Sequence, residues 1–172
     1  SLGVIMDPIQ SISFYKDSTL AILLAAQAQG FDLFYMEQQD LFIDNSGPRA
    51  HLRPLKVFND SAKWFELGDS RDAALEEMDV LVMRKDPPFD SEFIYSTYIL
   101  EAAERRGSLV VNKPQSLRDC NEKVFATEFP QCTPPLLVSR DQERLKGFLT
   151  VHQDVVYKPL DGMGGTSIFR VK

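Results

Sequence analysis

Short apolar runs bounded by turn residues recur along the first two thirds of the chain, with apolar residues at helical spacing between them. The runs are typical of buried strands, and the spacing between them is typical of helices that pack on a sheet. The pattern predicts strands over residues 2–6, 31–36, 80–83 and 109–111. It also predicts two long helices, one beginning at Ser18 or Thr19 and ending before Gly30, and one beginning at Asp90 or Ser91 and ending before Gly107.

A different pattern separates the second predicted strand from the third. Residues 41–43 and 49–57 are strand-like on either side of the turn residues Asp44–Gly47, which predicts a β-hairpin beside the sheet. Residues 72–78 resemble a short helix, whereas residues 58–70 show no clear period and are predicted to be irregular. Because strands joined through a helix pair in parallel, the first part of the chain predicts an α/β domain with a parallel sheet and an added hairpin.

The pattern changes again near residue 119. Capping-box spacing, which is typical of helix beginnings, occurs twice from that point on. It predicts one helix over residues 119–128 and another from 139 to about 151. The apolar runs in the same segment predict strands over residues 136–138, 155–158 and 167–171. This order differs from the preceding alternation of strand and helix. We therefore predict one domain over residues 1–119 and the beginning of a second over residues 120–172.

Composition and charge exclude several classes of partner. The 172 residues contain 19 Lys and Arg against 25 Asp and Glu, a net charge of −6. Such an acidic balance argues against nucleic acid and anionic membranes as partners, since phosphate backbones are bound by clustered basic residues. No apolar stretch approaches the ~20 residues of a bilayer span, and Cys120 and Cys132 belong to no zinc or redox motif. We therefore expect a cytoplasmic protein.

Candidate chemistry concentrates near the end of the chain. Lys158 follows an apolar run, and Gly162, Gly164 and Gly165 come shortly after it. Glycines allow backbone N–H groups to approach a ligand closely, as phosphate-binding loops require. The lysine and the glycines therefore predict a clamp for nucleotide phosphates, in a segment that carries a net charge of +1 over residues 120–172. The spacing alone equally allows a flexible hairpin with a solvated lysine.

Several ordered motifs carry a family resemblance. The stretch from Lys158 to Gly165 closely resembles the phosphate-binding hairpin of the bacterial glutathione synthetases, which are ATP-grasp ligases. Residues 6–8, 83–90 and 111–123 resemble the same family, in the same order. The resemblance implies a Rossmann-like, pre-ATP-grasp parallel-sheet domain followed by the first part of an ATP-grasp α+β domain.

The resemblance also implies a reaction. ATP would phosphorylate the C-terminal carboxylate of γ-glutamylcysteine, and glycine would attack the acyl phosphate to give glutathione, ADP and phosphate. Mg²⁺ is the implied metal cofactor. Lys123 and Lys158 match the lysines that contact the nucleotide phosphates in the family, and Gly162, Gly164 and Gly165 match the loop that closes over them. From the residues alone, a solvated lysine on a helix would be the favoured interpretation of Lys123, because exposed helix lysines are common, and only the resemblance reverses it.

Arg84 is the candidate for binding the substrate carboxylate. It comes at the end of a predicted parallel strand, where open α/β sheets bind ligands, and its fork of donors suits a carboxylate. The family resemblance implies that its loop faces γ-glutamylcysteine. A surface ion pair with Asp86 or Asp90 is the alternative, and Asp7-Pro8 is interpreted as a turn that shapes the same edge.

The family contains parts that do not match any residue of the chain. Its Mg²⁺ ligands, adenine-binding residues and mobile substrate loop are expected beyond Lys172. We therefore expect the chain to be the N-terminal portion of a longer enzyme and to be inactive by itself, and the family implies a homo-oligomer. Another ATP-grasp carboxylate–amine ligase and a non-catalytic binding or assembly module stay open as alternatives.

Overall fold

The computed structural model of the protein describes residues 1–162, 165 and 167–172. Its strands are, in chain order, β1 Leu2–Met6, β2 Leu33–Met36, β3 Leu41–Asp44, β4 Gly47–Val57, β5 Phe65–Leu67, β6 Arg71–Ala74, β7 Val80–Arg84, β8 Leu109–Val111, β9 Val155–Tyr157 and β10 Phe169–Val171. Its α-helices are α1 Ser18–Ala28, α2 Ser91–Glu104, α3 Pro114–Asp119 and α4 Gln142–His152. In the described residues, no helix has both the length and the apolar character that crossing a bilayer requires.

A parallel sheet forms the centre of the fold. Strands β2, β1, β7 and β8 lie side by side in parallel, and the long β4 pairs antiparallel with β2 and carries β3 on its outer side. This arrangement confirms the predicted parallel sheet with an added hairpin. Because the register pairs Met6 with Arg84, the last residues of β1 and β7 lie next to each other at the same edge.

The sheet buries side chains on both of its faces. Every residue of β1 is buried, as expected for a parallel strand covered on both sides. One core includes Ile5, Leu81 and Leu100, the last of which comes from α2. The other core includes Val4 and residues of α1 such as Leu23. The alternation along β1 therefore places α1 and α2 on opposite faces of the sheet.

The two long helices begin where carboxylates cap them. Asp90 is the cap of α2, and its side chain accepts a hydrogen bond from the Phe93 backbone N–H at 3.0 Å. For α1 the cap is Asp17 rather than the predicted Ser18 or Thr19, since the Asp17 carboxylate accepts from the Leu20 N–H at 2.8 Å. The hydroxyls of Ser18 and Thr19 instead accept hydrogen bonds from Arg84.

Two short strands replace the predicted irregular segment and the predicted helix after β4. β5 and β6 pair antiparallel with opposite parts of β4, and only a 3₁₀ turn, Leu75–Glu77, follows them. The predicted helix over residues 72–78 was therefore wrong. β4 is eleven residues long, so it offers backbone partners that local sequence does not reveal, and pairing with them satisfies backbone groups that a short helix would leave unbonded.

The second part of the chain also departs from its prediction in two places. The predicted helix from residue 119 is absent, because α3 ends at Asp119 and a short 3₁₀ turn, Phe125–Glu128, comes after it. Residues 136–138 are described but form no strand. The second helix and the final antiparallel pair, β9 with β10, are confirmed, although the cap of α4 is Asp141 and not Ser139.

Candidate functional site

A cleft opens at the edge of the sheet where β1 and β7 end. It has a volume of about 530 Å³, within the range of ~300–1,000 Å³ typical of small-molecule sites. Its walls come from the end of β1, the connection to α1, the first residues of α1 and the end of β7. They are lined by Met6, Asp7, Pro8, Ser11, Ile12, Ser13, Lys16, Asp17, Ser18, Thr19, Arg84 and Asp86.

Arg84 occupies the β7 side of this cleft and is held by two hydroxyl groups. Its Nε donates to Thr19 Oγ1 at 3.1 Å and its Nη2 donates to Ser18 Oγ at 2.8 Å. The predicted alternative, an ion pair with Asp86 or Asp90, is not present in the described residues. Neutral partners orient the guanidinium without neutralising its charge, so Arg84 can attract an anion in the cleft.

Asp7 joins the ends of β1 and β7. Its Oδ1 lies 2.9 Å from Lys85 Nζ, and its Oδ2 accepts from the Asp86 backbone N–H at 2.8 Å. The Lys85 ammonium also donates to the Asp86 carbonyl at 2.6 Å. The Asp7 carboxylate therefore holds the loop after β7 in place, which agrees with the shaping role predicted for Asp7-Pro8.

Lys16, Ser18 and Thr19 were not predicted as site residues, and the sequence indicated Ser18 or Thr19 only as the beginning of a helix. Ser18 and Thr19 fix the guanidinium of Arg84, and Lys16 adds a second cation to the cleft wall. One signal could have found them. Lys16 stands in the first connection from strand to helix, and Ser18 and Thr19 begin that helix. In a parallel sheet this region lies at the edge where ligands bind.

A second group of candidate residues surrounds Lys123. Its Nζ donates to the Gly162 carbonyl at 2.7 Å and to the Leu160 carbonyl at 3.2 Å, and it pairs with Glu122 at 2.8 Å. The Lys123 hydrogen bond lowers the pKa of the Glu122 carboxyl below its ordinary value. The Lys123 side chain is only 19% exposed. Lys123 is therefore not a solvated lysine, and it is in direct contact with the loop that carries the candidate glycines.

Asn121 strengthens the same connection. Its Nδ2 donates to the Leu160 carbonyl at 3.3 Å, and its Oδ1 accepts from the Lys123 backbone N–H at 3.0 Å. The local turn at Asn121 thus directs the lysine toward a loop that is 39 residues away in sequence. Apart from the family motif, nothing in the sequence indicates that Lys123 and this loop are in contact.

The other predicted phosphate-binding residues belong to the hairpin. Lys158 is exposed and comes one residue after the end of β9, so the predicted strand was one residue too long. Gly165 has a φ of 84°, in the left-handed region that favours glycine. Gly164 lies outside the described residues. No hydrogen bond or ion pair among the described residues joins Arg84 to Lys123 or Gly162, so we treat the candidates as two groups.

The described part of the chain offers no obvious metal centre. Within it, no three His, Cys, Asp or Glu side chains come together as metal ligands would. Cys120 and Cys132 are exposed free thiols.

Solved structures with a similar fold are ATP-grasp ligases. The ATP-grasp ligase PsnB complexed with minimal precursor matches over 100% of this chain and 56% of its own, with a TM-score of 0.52 and 15% identity. PsnB complexed with a phosphomimetic variant of the minimal precursor, Mg and ADP matches over 99% and 57%, with a TM-score of 0.52 and 13% identity. At these identities the likeness concerns the fold alone.

Curated relatives are much more similar to this chain in sequence than these solved structures are. The glutathione synthetase of Pseudomonas putida is 67% identical over 169 residues, which are 98% of this chain and 53% of the relative. The glutathione synthetase of Pseudomonas aeruginosa is 64% identical over 98% of this chain and 53% of its own, and that of Escherichia coli K12 is 56% identical over 99% and 54%. The chain spans about half the length of the curated relatives it matches.

Two family models match in succession. The model of the prokaryotic glutathione synthetase N-terminal domain matches residues 1–118, and the model of the prokaryotic glutathione synthetase ATP-grasp domain matches residues 122–172. The first match alone covers more than half of the chain. The chain therefore belongs to the prokaryotic glutathione synthetase family.

Proposed function

We propose that the protein containing this chain is a glutathione synthetase, which ligates γ-glutamylcysteine to glycine with consumption of ATP. The observation that carries the proposal is the pair of family models that match in order over residues 1–118 and 122–172. Relatives named glutathione synthetase, 56–67% identical over nearly the whole chain, support it. The expected homo-oligomeric assembly and cytoplasmic location stay predictions.

The reaction requires activation of a poor electrophile. A carboxylate resists attack by an amine, whereas an acyl phosphate carries a good leaving group. ATP would transfer its γ-phosphoryl group to the dipeptide carboxylate, and the glycine amine would then displace phosphate. The protein must align three anionic reactants and offset the charge on the transferred group, since positioning and electrostatic stabilisation dominate phosphoryl transfer.

Lys123 and Lys158 are proposed to bind the nucleotide phosphates. Lys123 already donates to two carbonyl oxygens, those of Leu160 and Gly162, and phosphate oxygens would be stronger acceptors for the same ammonium. Lys158 is exposed at the end of β9 and free to approach a ligand. Gly162, Gly164 and Gly165 are proposed to supply backbone N–H groups to the same phosphates.

Arg84 is proposed to bind a carboxylate of γ-glutamylcysteine in the cleft. The cleft volume of about 530 Å³ suits a dipeptide, and the guanidinium is fixed by Ser18 and Thr19 with its charge unpaired among the described residues. Residues 1–119 would thus form the substrate domain, and residues 120–172 the beginning of the nucleotide domain.

The described residues do not fit the implied Mg²⁺ ion. Their acidic side chains form no cluster that could coordinate it, and hard divalent cations need several oxygen ligands. We therefore assign no step on these residues to a metal. Its ligands are expected in the half of the relatives' length that this chain does not match.

The proposed function predicts a specific product and a nucleotide site that depends on the two lysines. The complete protein, given ATP and γ-glutamylcysteine, should form glutathione with glycine and little product with other amino acids. Lys123→Ala and Lys158→Ala should each weaken ATP binding by about tenfold or more, since a charged hydrogen bond is worth ~1.5–3 kcal/mol. Isothermal titration with a non-hydrolysable ATP analogue measures the affinity.

Lys146→Ala is the matched control for loss of positive charge. Lys146 lies on the exposed face of α4 and pairs only with Glu143 in the described residues, so its variant should bind ATP as the wild type does. Efficient ligation of a different amine would instead favour another ATP-grasp ligase. Unchanged ATP affinity in both Lys123→Ala and Lys158→Ala would refute their assignment.

A further inference from the structure

The connection between β1 and α1 supplies most of the cleft wall. We call residues 7–17 the cleft loop. Seven of the residues that line the cleft belong to it: Asp7, Pro8, Ser11, Ile12, Ser13, Lys16 and Asp17. Only a single 3₁₀ turn, Ile9–Ser11, gives this loop regular structure. Its shape must therefore depend on contacts with the rest of the domain.

Two side chains from outside the loop bind the same residue, Ile9. The Ile9 backbone N–H donates to the Tyr35 hydroxyl at 3.3 Å, and the Ile9 carbonyl accepts from Trp64 Nε1 at 3.0 Å. Tyr35 belongs to β2, and Trp64 immediately precedes β5. Ile9 is fully buried. Both polar groups of a buried residue in the cleft loop are thus satisfied by side chains 26 and 55 residues away.

The Tyr35 hydroxyl has a defined orientation. It donates its own hydrogen to Glu37 Oε1 at 2.5 Å, so a lone pair of the oxygen remains for the Ile9 N–H. Burial, followed by the hydrogen bond to Glu37, raises the pKa of the Tyr35 phenol above its ordinary value. The hydroxyl is therefore protonated at neutral pH and serves as the donor to Glu37.

Trp64 contacts the cleft loop a second time through its ring. Its ring centroid lies 6.4 Å from that of Phe14, which belongs to the loop, and 5.7 Å from that of Phe65 in β5. Aromatic pairs at such distances attract each other beyond the effect of burial. The indole thus holds the loop near its beginning by a hydrogen bond and near its end by ring packing.

We infer that Tyr35 and Trp64 are positioning residues, which hold the cleft loop in the shape that receives the γ-glutamyl dipeptide. Packing alone would be satisfied by phenylalanine in place of Tyr35, and by an aromatic ring without an N–H donor in place of Trp64. The hydroxyl and the indole N–H instead satisfy the two polar groups of one buried residue, and a buried polar group left without a partner destabilises the fold. The inference rests on the proposed function, since it names the ligand of the Arg84 cleft.

Tyr35→Phe and Trp64→Phe test the inference in the complete protein. Tyr35→Phe keeps the phenyl ring and removes the hydroxyl that binds Ile9 and Glu37. Trp64→Phe replaces the indole by a smaller aromatic ring and removes the hydrogen bond to the Ile9 carbonyl. We expect KM for γ-glutamylcysteine to rise about tenfold, equivalent to ~1.4 kcal/mol, while kcat and KM for ATP change less than about twofold. Tyr95→Phe is the matched control, because Tyr95 is an exposed tyrosine of α2, and its variant should behave as the wild type does.

Calorimetric titration of γ-glutamylcysteine separates failure of this inference from failure of the proposed function. If the wild type does not bind the dipeptide, the proposed function fails. If the wild type binds it and both phenylalanine variants bind it equally well, the positioning role is refuted and the function stands. A rise in KM shared by the dipeptide, ATP and glycine would also refute it, since that would indicate a general loss of structure.

Discussion

At the scale of single residues, neutral oxygens orient Arg84 and help to hold Lys123, whose ammonium also pairs with the Glu122 carboxylate. Arg84 donates to two hydroxyls, and Lys123 donates to two backbone carbonyls in addition to its pair with Glu122. Hydrogen bonds of this kind orient a charged group while leaving most of its charge available. The same two residues, judged by type alone, would have been ordinary surface charges.

Gly47 shows how a single position can depend on both backbone and packing. Its φ is +124°, and a Cβ built there would lie 2.0 Å from Arg106 Nη1. That nitrogen donates to the Ser46 carbonyl and to Glu76 Oε1, the latter at 2.8 Å. Gly47→Ala should therefore lower the free energy of unfolding by about 2 kcal/mol, since strained backbone costs ~1–3 kcal/mol. Urea denaturation of the complete protein measures this change in the free energy of unfolding.

Gly147 provides the control for that substitution. It lies inside α4, and a Cβ there would meet nothing within 4 Å. Gly147→Ala should raise helix stability by about 0.5–1 kcal/mol, because alanine loses less backbone entropy than glycine in a helix. A Gly47→Ala variant as stable as the wild type would contradict the proposed dependence on φ and Arg106.

At the scale of elements, aspartates define where the long helices begin. Asp17, Asp90 and Asp141 each accept a backbone N–H in the first turn of α1, α2 and α4. The sequence placed the beginning of each helix to within a few residues, but for α1 and α4 it did not identify the capping residue, because several polar residues stand together there. Which one caps depends on how the chain enters the helix.

Asp90→Ala should destabilise the domain through α2. The side chain accepts from the Phe93 N–H at 3.0 Å, and loss of such a cap costs ~1 kcal/mol. The helix contributes Leu100 and Ala103 to the core, so fraying at its beginning loosens packing on the sheet. Thermal or urea unfolding should show the loss, and Asp90→Asn, which keeps the acceptor oxygen, should restore most of it. Equal stability of all three proteins would contradict this role.

At the scale of the whole molecule, several exposed carboxylates accept hydrogen bonds or pair with cations. Hydrogen bonds from Ser46 hold the pKa of Asp44 below its ordinary value, and the hydrogen bond from Arg170 does the same for Asp154. A carboxyl whose pKa is lowered in the folded state favours folding when it is ionised. This contribution is complete above the ordinary pKa of about 4 and is lost as pH falls through the lower, folded value.

Stability should therefore change little through these groups between pH 7 and pH 5 and should fall below about pH 4. Urea midpoints across that range give the measurement. The double variant Asp44→Asn, Asp154→Asn should lose less stability between pH 5 and pH 3 than the wild type does, because two of the titrating groups are gone. If the urea midpoint fell with pH in the same way for the two proteins, these carboxylates would not contribute to the pH dependence of stability.

The sequence by itself determined the order of the main elements, the parallel sheet and the family motifs. Apolar runs and helical spacing indicate which side chains of a segment are to be buried, and this pattern is written locally in each segment. Only the tertiary structure decided that β5 and β6 pair with β4, that Lys123 contacts Gly162, and that Tyr35 and Trp64 both bind Ile9. These contacts join residues far apart in the chain, and a local pattern carries no information about which distant group will satisfy a buried polar atom.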